Sequence, residues 1–174
     1  MLTLLFPANH DYAAPFRAHP EIAIVRTVNV KPRPKPVVKA PVVVTVSVAG
    51  LSSAQTDNAR LIVQEGESLG VPVYGQQIAV ATAMQESTLY NIDYGTSDSV
   101  GLFQQQADCG WGTKTEIMNP WYSAKAFYEA LLDVPGWQHM ELTIAAQSVQ
   151  KSAYPYAYQK WSGLAQQVVG ALGN

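Results

Sequence analysis

Apolar residues recur at helical spacing over most of the last two thirds of the chain. The first such stretch follows Ser52 and Gln55, which fit a capping box, and stops before Gly70, so it predicts a helix over 53–69. The segment 76–86 is apolar on almost every side, which is typical of a helix in the interior. Its alanines leave room for neighbouring helices to approach closely. We expect it to be the central helix of a small bundle.

Three more helices are predicted further along the chain, over 120–134, 143–152 and 161–172. Asn119 is the expected N-cap of the first and Thr143 that of the second. Residues 88–118, by contrast, lose helical periodicity and collect Gly, Asp, Ser, Thr and Asn, which favours loops or a short hairpin. The pattern therefore predicts a mainly α fold of about five helices around one core, with an irregular insertion after the central helix.

Composition divides the chain into two parts, a tail over 1–50 and a folded domain over 51–174. Seven of the 11 prolines and six of the 11 Lys and Arg residues lie in the tail, against only two of the 13 acids. Repeated proline removes backbone donors and favours extended structure. The tail is expected to be poorly ordered. It acts either as a solvated linker or as a basic segment that contacts anionic wall polymers or a membrane surface.

Several classes of function are disfavoured by the same features. The domain carries five Lys and Arg against eleven Asp and Glu, which disfavours nucleic-acid binding. No segment is apolar for long enough to span a bilayer. The lone Cys109 excludes an internal disulfide, and the dispersed His, Cys and acidic residues predict neither a metal site nor a cofactor. We expect a monomer.

Glu86 is the candidate for chemistry, because it ends the apolar segment 76–86. Burial disfavours the charged form of a carboxyl group, so its pKa rises and it becomes a plausible proton donor near neutral pH. Glycoside cleavage requires such an acid. Asp93 and Asp98 are the nearby candidates for a second carboxylate, and Asp98 is equally well explained as a turn-capping residue.

Two short motifs carry a resemblance to known enzymes. Met84-Gln85-Glu86-Ser87, followed by Ser99-Val100-Gly101-Leu102-Phe103-Gln104, resembles the Glu-Ser and Gly-Leu-Met-Gln motifs of soluble lytic transglycosylases. Goose-type lysozymes have a similar layout. The run 83–111 also resembles lysozyme-like domains of actinobacterial and associated phage proteins. The resemblance covers about 51–170 and implies an α+β lysozyme-like fold.

The resemblance implies a role for each matching residue. Glu86 would protonate the oxygen between N-acetylmuramic acid and N-acetylglucosamine in peptidoglycan, and the segment from Gly101 to Gln104 would line the sugar cleft. The residues expected to bind substrate are Ser87, Asp98, Gly101, Leu102, Phe103, Gln104, Gln105, Gln150 and Tyr154. Aromatic faces for sugar rings are expected from Tyr90, Tyr94, Trp111 and Tyr154.

Three functions remain open at this point. A lytic transglycosylase would use the same glutamate as acid and then as base, giving a 1,6-anhydro product. A hydrolytic lysozyme would need a group that holds a water or acts as nucleophile. A non-catalytic wall-binding or virion-structural module would keep the fold without activity.

The expected late Tyr-Asn-Ala-Gly motif is missing, which bears on the anhydro product more than on glycan cleavage. The expected location is extracellular or at the cell wall, although the first residues lack the pattern of a signal peptide.

Overall fold

The computed structural model describes residues 47, 48 and 50–173 of the chain. The predicted basic tail therefore lies almost entirely outside the described residues. Val48 is an exception, since it is buried and packs into the core of the helical domain. The described domain is mainly helical, as the sequence pattern predicts.

The described part of the chain forms six α-helices. Five of them lie close to the predicted segments, and the third has no predicted counterpart. They are α1 (Ser53–Ser68), α2 (Val73–Ser87), α3 (Lys114–Ile117), α4 (Pro120–Leu132), α5 (Leu142–Gln150) and α6 (Ser162–Leu172). Short 3₁₀ turns cover Ala107–Cys109, Trp137–His139 and Gln159–Trp161.

The central position of α2 is confirmed. It packs against α1, α4, α5 and α6, and every residue from Ile78 to Ala83 is buried. A run of six buried residues spans more than one helical turn, so neighbours cover all sides of this part of the helix. The core is completed by apolar residues of the surrounding helices, including Ile62, Phe127 and Val168.

Side-chain capping fixes two of the helix starts as predicted. Ser52 and Gln55 form the capping box of α1, and the Asn119 side chain accepts hydrogen bonds at the start of α4. The expectation for α5 is wrong, because its N-cap is Glu141 and the Thr143 hydroxyl instead donates to the Pro155 carbonyl at 2.7 Å. Thr143 thus holds the chain that follows α5 against the helix.

The insertion after α2 is irregular, as expected, but it holds a sixth helix. One antiparallel bridge joins Val100 and Gln105, so the hairpin is reduced to a single pair among the described residues. Helix α3 was not predicted, because one turn is too short to show a periodic pattern. It is stabilised by a capping box between Thr113 and Glu116.

Close packing at Gly66 joins α1 to its neighbours. A Cβ atom at this position would lie 2.8 Å from both Gln76 Cγ and Tyr128 Oη. Tyr128 is fully buried there and donates to the Ile62 carbonyl at 2.9 Å. The absence of a side chain therefore lets α2 and α4 approach α1.

We expect Gly66→Ala to lower the free energy of unfolding by about 1–3 kcal/mol, the usual range for overpacking a core. Gly170→Ala is the matched control, because a Cβ there meets nothing within 4 Å inside α6. It should stabilise the domain by about 0.5–1 kcal/mol through helix propensity. Urea unfolding measures both changes, and changes of the same sign would contradict this account of Gly66.

Candidate active site

Glu86 lies in the last turn of α2, where the interior helix reaches the surface. It lines two depressions. The larger, here named the main cavity, has a volume of about 850 Å³, and the smaller, the side groove, about 490 Å³. The main cavity is lined by Glu86, Thr96, Ser99, 104–106, Cys109, Trp111 and 149–154. The side groove is lined by 86–88, 90–92 and Tyr94.

Two hydrogen-bond donors hold the Glu86 carboxyl group. The Tyr158 hydroxyl donates to Glu86 Oε1 at 2.9 Å, and the Gln150 side chain forms a second hydrogen bond. Tyr158 comes from the segment between α5 and α6, and Gln150 is the last residue of α5. The carboxyl group is thus fixed by contacts that are distant in sequence.

Burial raises the pKa of Glu86 above its ordinary value, since desolvation penalises the charged form. The hydrogen bonds from Tyr158 and Gln150 act in the opposite direction, but burial is the larger effect. The Glu86 carboxyl group therefore keeps its proton to a higher pH than an exposed glutamate does. Once it ionises, the hydrogen bonds from Tyr158 and Gln150 stabilise the carboxylate.

Tyr158 keeps its hydroxyl proton and so remains a hydrogen-bond donor to Glu86. Its side chain is fully buried, and burial together with the Glu86 charge raises its pKa well above that of an exposed tyrosine. It therefore stays protonated when Glu86 ionises. Ser152 also hydrogen-bonds the tyrosine, which ties the 151–154 loop to the same network.

The sequence motifs point to Tyr154 as the tyrosine of the site and give no sign of Tyr158. Tyr154 does line the main cavity, but it is 75% exposed and lies at the rim. Tyrosines occupy three alternate positions, 154, 156 and 158, and this pattern does not show which of them is buried. Only Tyr158 of the three is buried.

The Gly-Leu-Phe segment supports the site through its backbone. Leu102 and Phe103 are both 0% exposed, and the Phe103 ring stacks on Phe127 with centroids 4.7 Å apart. Their side chains therefore face the core, and the expectation that these two residues bind substrate stays a prediction. Their carbonyls instead accept from site residues: Ser87 Oγ donates to Leu102 O, and Gln150 Nε2 donates to Phe103 O, both at 2.8 Å.

Gly101 is also buried, and it lines neither the main cavity nor the side groove. Its φ is +81°, and a Cβ would come within 2.9 Å of the Ile117 carbonyl, so the position requires glycine. Its role is to turn the chain, and the predicted direct contact with substrate does not fit this placement.

Gln104 and Gln105 do line the main cavity beside Glu86. Gln104 accepts from Ser99 Oγ at 3.1 Å and donates to the Tyr94 carbonyl at 3.3 Å. Gln105 is almost fully buried and donates to the Ser123 carbonyl at 3.2 Å. Both side chains are therefore held in place before any ligand binds.

Asp98 does not reach the site. It is exposed and lines neither depression, because the turn over 96–99 directs Ser99 inward, with Ser99 Oγ donating to the Thr96 carbonyl at 2.9 Å. Asp93 lies outside both depressions as well. Among the described residues that line them, Glu86 is the only carboxylate.

The aromatic residues expected near the motifs lie beside Glu86. Trp111 and Tyr154 line the main cavity, and Tyr90 and Tyr94 line the side groove with Ser87. Flat, partly exposed rings of this kind suit the apolar faces of pyranose sugars. The main cavity thus brings together Glu86 and four predicted site residues, Gln104, Gln105, Gln150 and Tyr154. Ser87 lies with Glu86 in the side groove.

Across 50–173 and the two residues described before it, no three His, Cys, Asp or Glu side chains are grouped closely enough to hold a metal ion. In the same part of the chain, no helix has the length and apolar character to cross a membrane. Comparison with protein-family models and with curated protein sequences finds no match.

We expect Tyr158→Phe to raise the pKa of Glu86 further, because it removes a donor to the carboxylate while burial persists. A ¹³C NMR titration of the glutamate carboxyl carbons measures the shift. The control is Tyr156→Phe, which alters a side chain that is 73% exposed and should leave the Glu86 titration unchanged. A pKa that stays constant or falls in Tyr158→Phe would contradict the assigned hydrogen bond.

Glu86→Gln should make the domain more stable at neutral pH. Because the folded-state pKa of Glu86 is raised, the stability it contributes is complete below its ordinary value of 4.5 and is lost as the pH rises through the folded-state pKa. The neutral amide avoids this loss. Urea unfolding at pH 4 and pH 7 should show a stabilising effect of the substitution that is larger at pH 7, and an equal effect at both pH values would refute it.

Proposed function

We propose that this protein cleaves peptidoglycan glycan strands between N-acetylmuramic acid and N-acetylglucosamine, as a lytic transglycosylase. One observation carries the proposal: a partly buried glutamate with a raised pKa lies where a cavity and a groove both reach it. A chain substrate that is cut internally needs room on both sides of the acid. The motif resemblance at Glu86-Ser87 and Gly101 to Gln104 supports the choice of a glycan.

The first step uses Glu86 as an acid. Its proton passes to the glycosidic oxygen, the bond from that oxygen to muramoyl C1 breaks, and the N-acetylglucosamine end leaves with a hydroxyl group. The acetamido group of the substrate stabilises the cationic C1 centre. Burial favours this step because it keeps Glu86 protonated.

The second step uses the resulting carboxylate as a base. It takes the proton of the C6 hydroxyl while O6 bonds to C1, which forms the 1,6-anhydro ring, restores protonated Glu86 and consumes no water. Tyr158 and Gln150 favour the ionised carboxylate needed here. The two opposing effects on the pKa thus serve the two steps in turn.

The absence of a partner carboxylate favours the transglycosylase over a lysozyme. Two-carboxylate glycosidases place the second acid within about 5–9.5 Å of the first. Of the described residues lining the main cavity and side groove, none other than Glu86 is acidic. An internal nucleophile, the C6 hydroxyl, needs no such partner. Action on this substrate places the protein outside the cell or at the cell wall.

We expect Glu86→Gln to reduce release of soluble muropeptides from purified peptidoglycan by at least about 100-fold, the lower range for losing a general acid. The amide keeps the shape of the side chain but cannot deliver a proton. The matched control is Glu129→Gln, on the exposed face of α4, which should keep full activity. Equal release of muropeptides by wild type and Glu86→Gln would contradict the assignment of Glu86 as the acid.

Mass spectrometry of the released fragments then identifies the reaction. Anhydro ends, 18 mass units lighter than reducing ends because no water is added, are expected on the muramoyl side of each cut, on the order of one per cut. Reducing ends would make the protein a hydrolytic lysozyme. Wall binding without release by the wild type would make it a non-catalytic binding module.

A further inference from the structure

The main cavity contains one cation, Lys151, among the described residues that line it. The domain as a whole is acidic, with five Lys and Arg against eleven Asp and Glu. Two of the other lysines are engaged away from the cavity: Lys125 pairs with Glu129 at 3.6 Å, and Lys160 lies over the Trp161 ring at 5.1 Å. Lys151 is therefore the place in the main cavity at which an anionic group is attracted.

The backbone of Lys151 is fixed relative to Glu86. Lys151 is the C-cap residue of α5, with φ 51°, and its N–H donates to the Gln147 carbonyl at 2.8 Å. The residue before it, Gln150, hydrogen-bonds both Glu86 and the Phe103 carbonyl. The residue after it, Ser152, accepts from Gln147 Nε2 at 2.8 Å. Hydrogen bonds of Lys151 and both of its neighbours therefore fix the backbone from which the lysine side chain extends.

A lysine at this position has a second possible effect, since a cation at a helix C-terminus complements the helix dipole. That effect acts on stability and does not depend on the substrate. Glycine is the residue favoured in the left-handed conformation that ends a helix, so the backbone gains nothing from lysine here. A substrate-dependent measurement therefore separates the two roles.

We propose that Lys151 binds a free carboxylate of the peptide stems of peptidoglycan and so makes the site prefer peptide-bearing glycan to bare strands. This rests on the proposed function. The stems are attached to the muramic acid residues and carry acidic amino acids, so each cut next to a muramic acid brings a stem close to the cavity. A flexible lysine side chain suits a carboxylate that approaches in more than one orientation.

The test compares two substrates. One is intact purified peptidoglycan. The other, the bare strands, is the same glycan after an N-acetylmuramoyl-alanine amidase has removed the stems and the lactyl carboxylates left on the muramic acids have been converted to methyl amides. Lys151→Gln should lower kcat/KM on intact peptidoglycan by about fivefold, the upper range for a solvent-exposed ion pair. It should leave the rate on bare strands unchanged. Lys151→Arg should keep most of the preference. At about 1 M salt, where the screening length is about 3 Å, wild type and Lys151→Gln should converge.

Lys114→Gln serves as the matched control, because Lys114 lies in α3 outside the main cavity. It should behave as wild type on both substrates. Equal slowing of both substrates by Lys151→Gln, or no slowing of either, would overturn the role of Lys151 while leaving glycan cleavage intact. If the wild type releases nothing from either substrate, the proposed function fails, and the preference fails with it.

Discussion

The candidate site depends on a carboxyl group that loses part of its hydration but keeps its hydrogen-bond donors. The helix is covered on all sides over Ile78 to Ala83, so only its end reaches solvent, and Glu86 occupies that end. Burial holds the proton on, whereas Tyr158 and Gln150 favour its release. A proton donor that must later accept a proton needs both influences, because either one alone would hold the group in a single state.

Two residues of the Gly-Leu-Phe-Gln segment, Leu102 and Phe103, support the candidate site although their side chains lie outside both depressions. Leu102 and Phe103 anchor the segment in the core, and their carbonyls receive the side chains of Ser87 and Gln150. Gln150 in turn hydrogen-bonds Glu86. Burial of the apolar side chains thus fixes the backbone carbonyls that position Ser87 and Gln150. This explains why apolar residues occur in a motif beside a polar cavity.

The sequence predicted those features that arise from local chemistry. The helix starts at Ser52 and Asn119 are set by side chains within three residues of the caps, and the interior character of α2 follows from its composition. Helix α3 has an equally local signal, the capping pair Thr113 and Glu116, but one turn is too short to show the helical period that predicts a helix. Tyr158 could not be found this way, because it meets Glu86 across 72 residues. Periodicity likewise could not tell whether Leu102 and Phe103 face a cleft or the core.

That separation of 72 residues has a consequence for the assembly of the protein. Glu86 belongs to the second helix, whereas the two side chains that hydrogen-bond it, Gln150 and Tyr158, follow α4. During synthesis from the N-terminus, a chain that has emerged only as far as the insertion carries Glu86 without these two donors. The tuned acid exists only once the final quarter of the polypeptide has closed over it. The balance of effects on the Glu86 pKa is thus a property of the complete fold, and an unfinished chain lacks it.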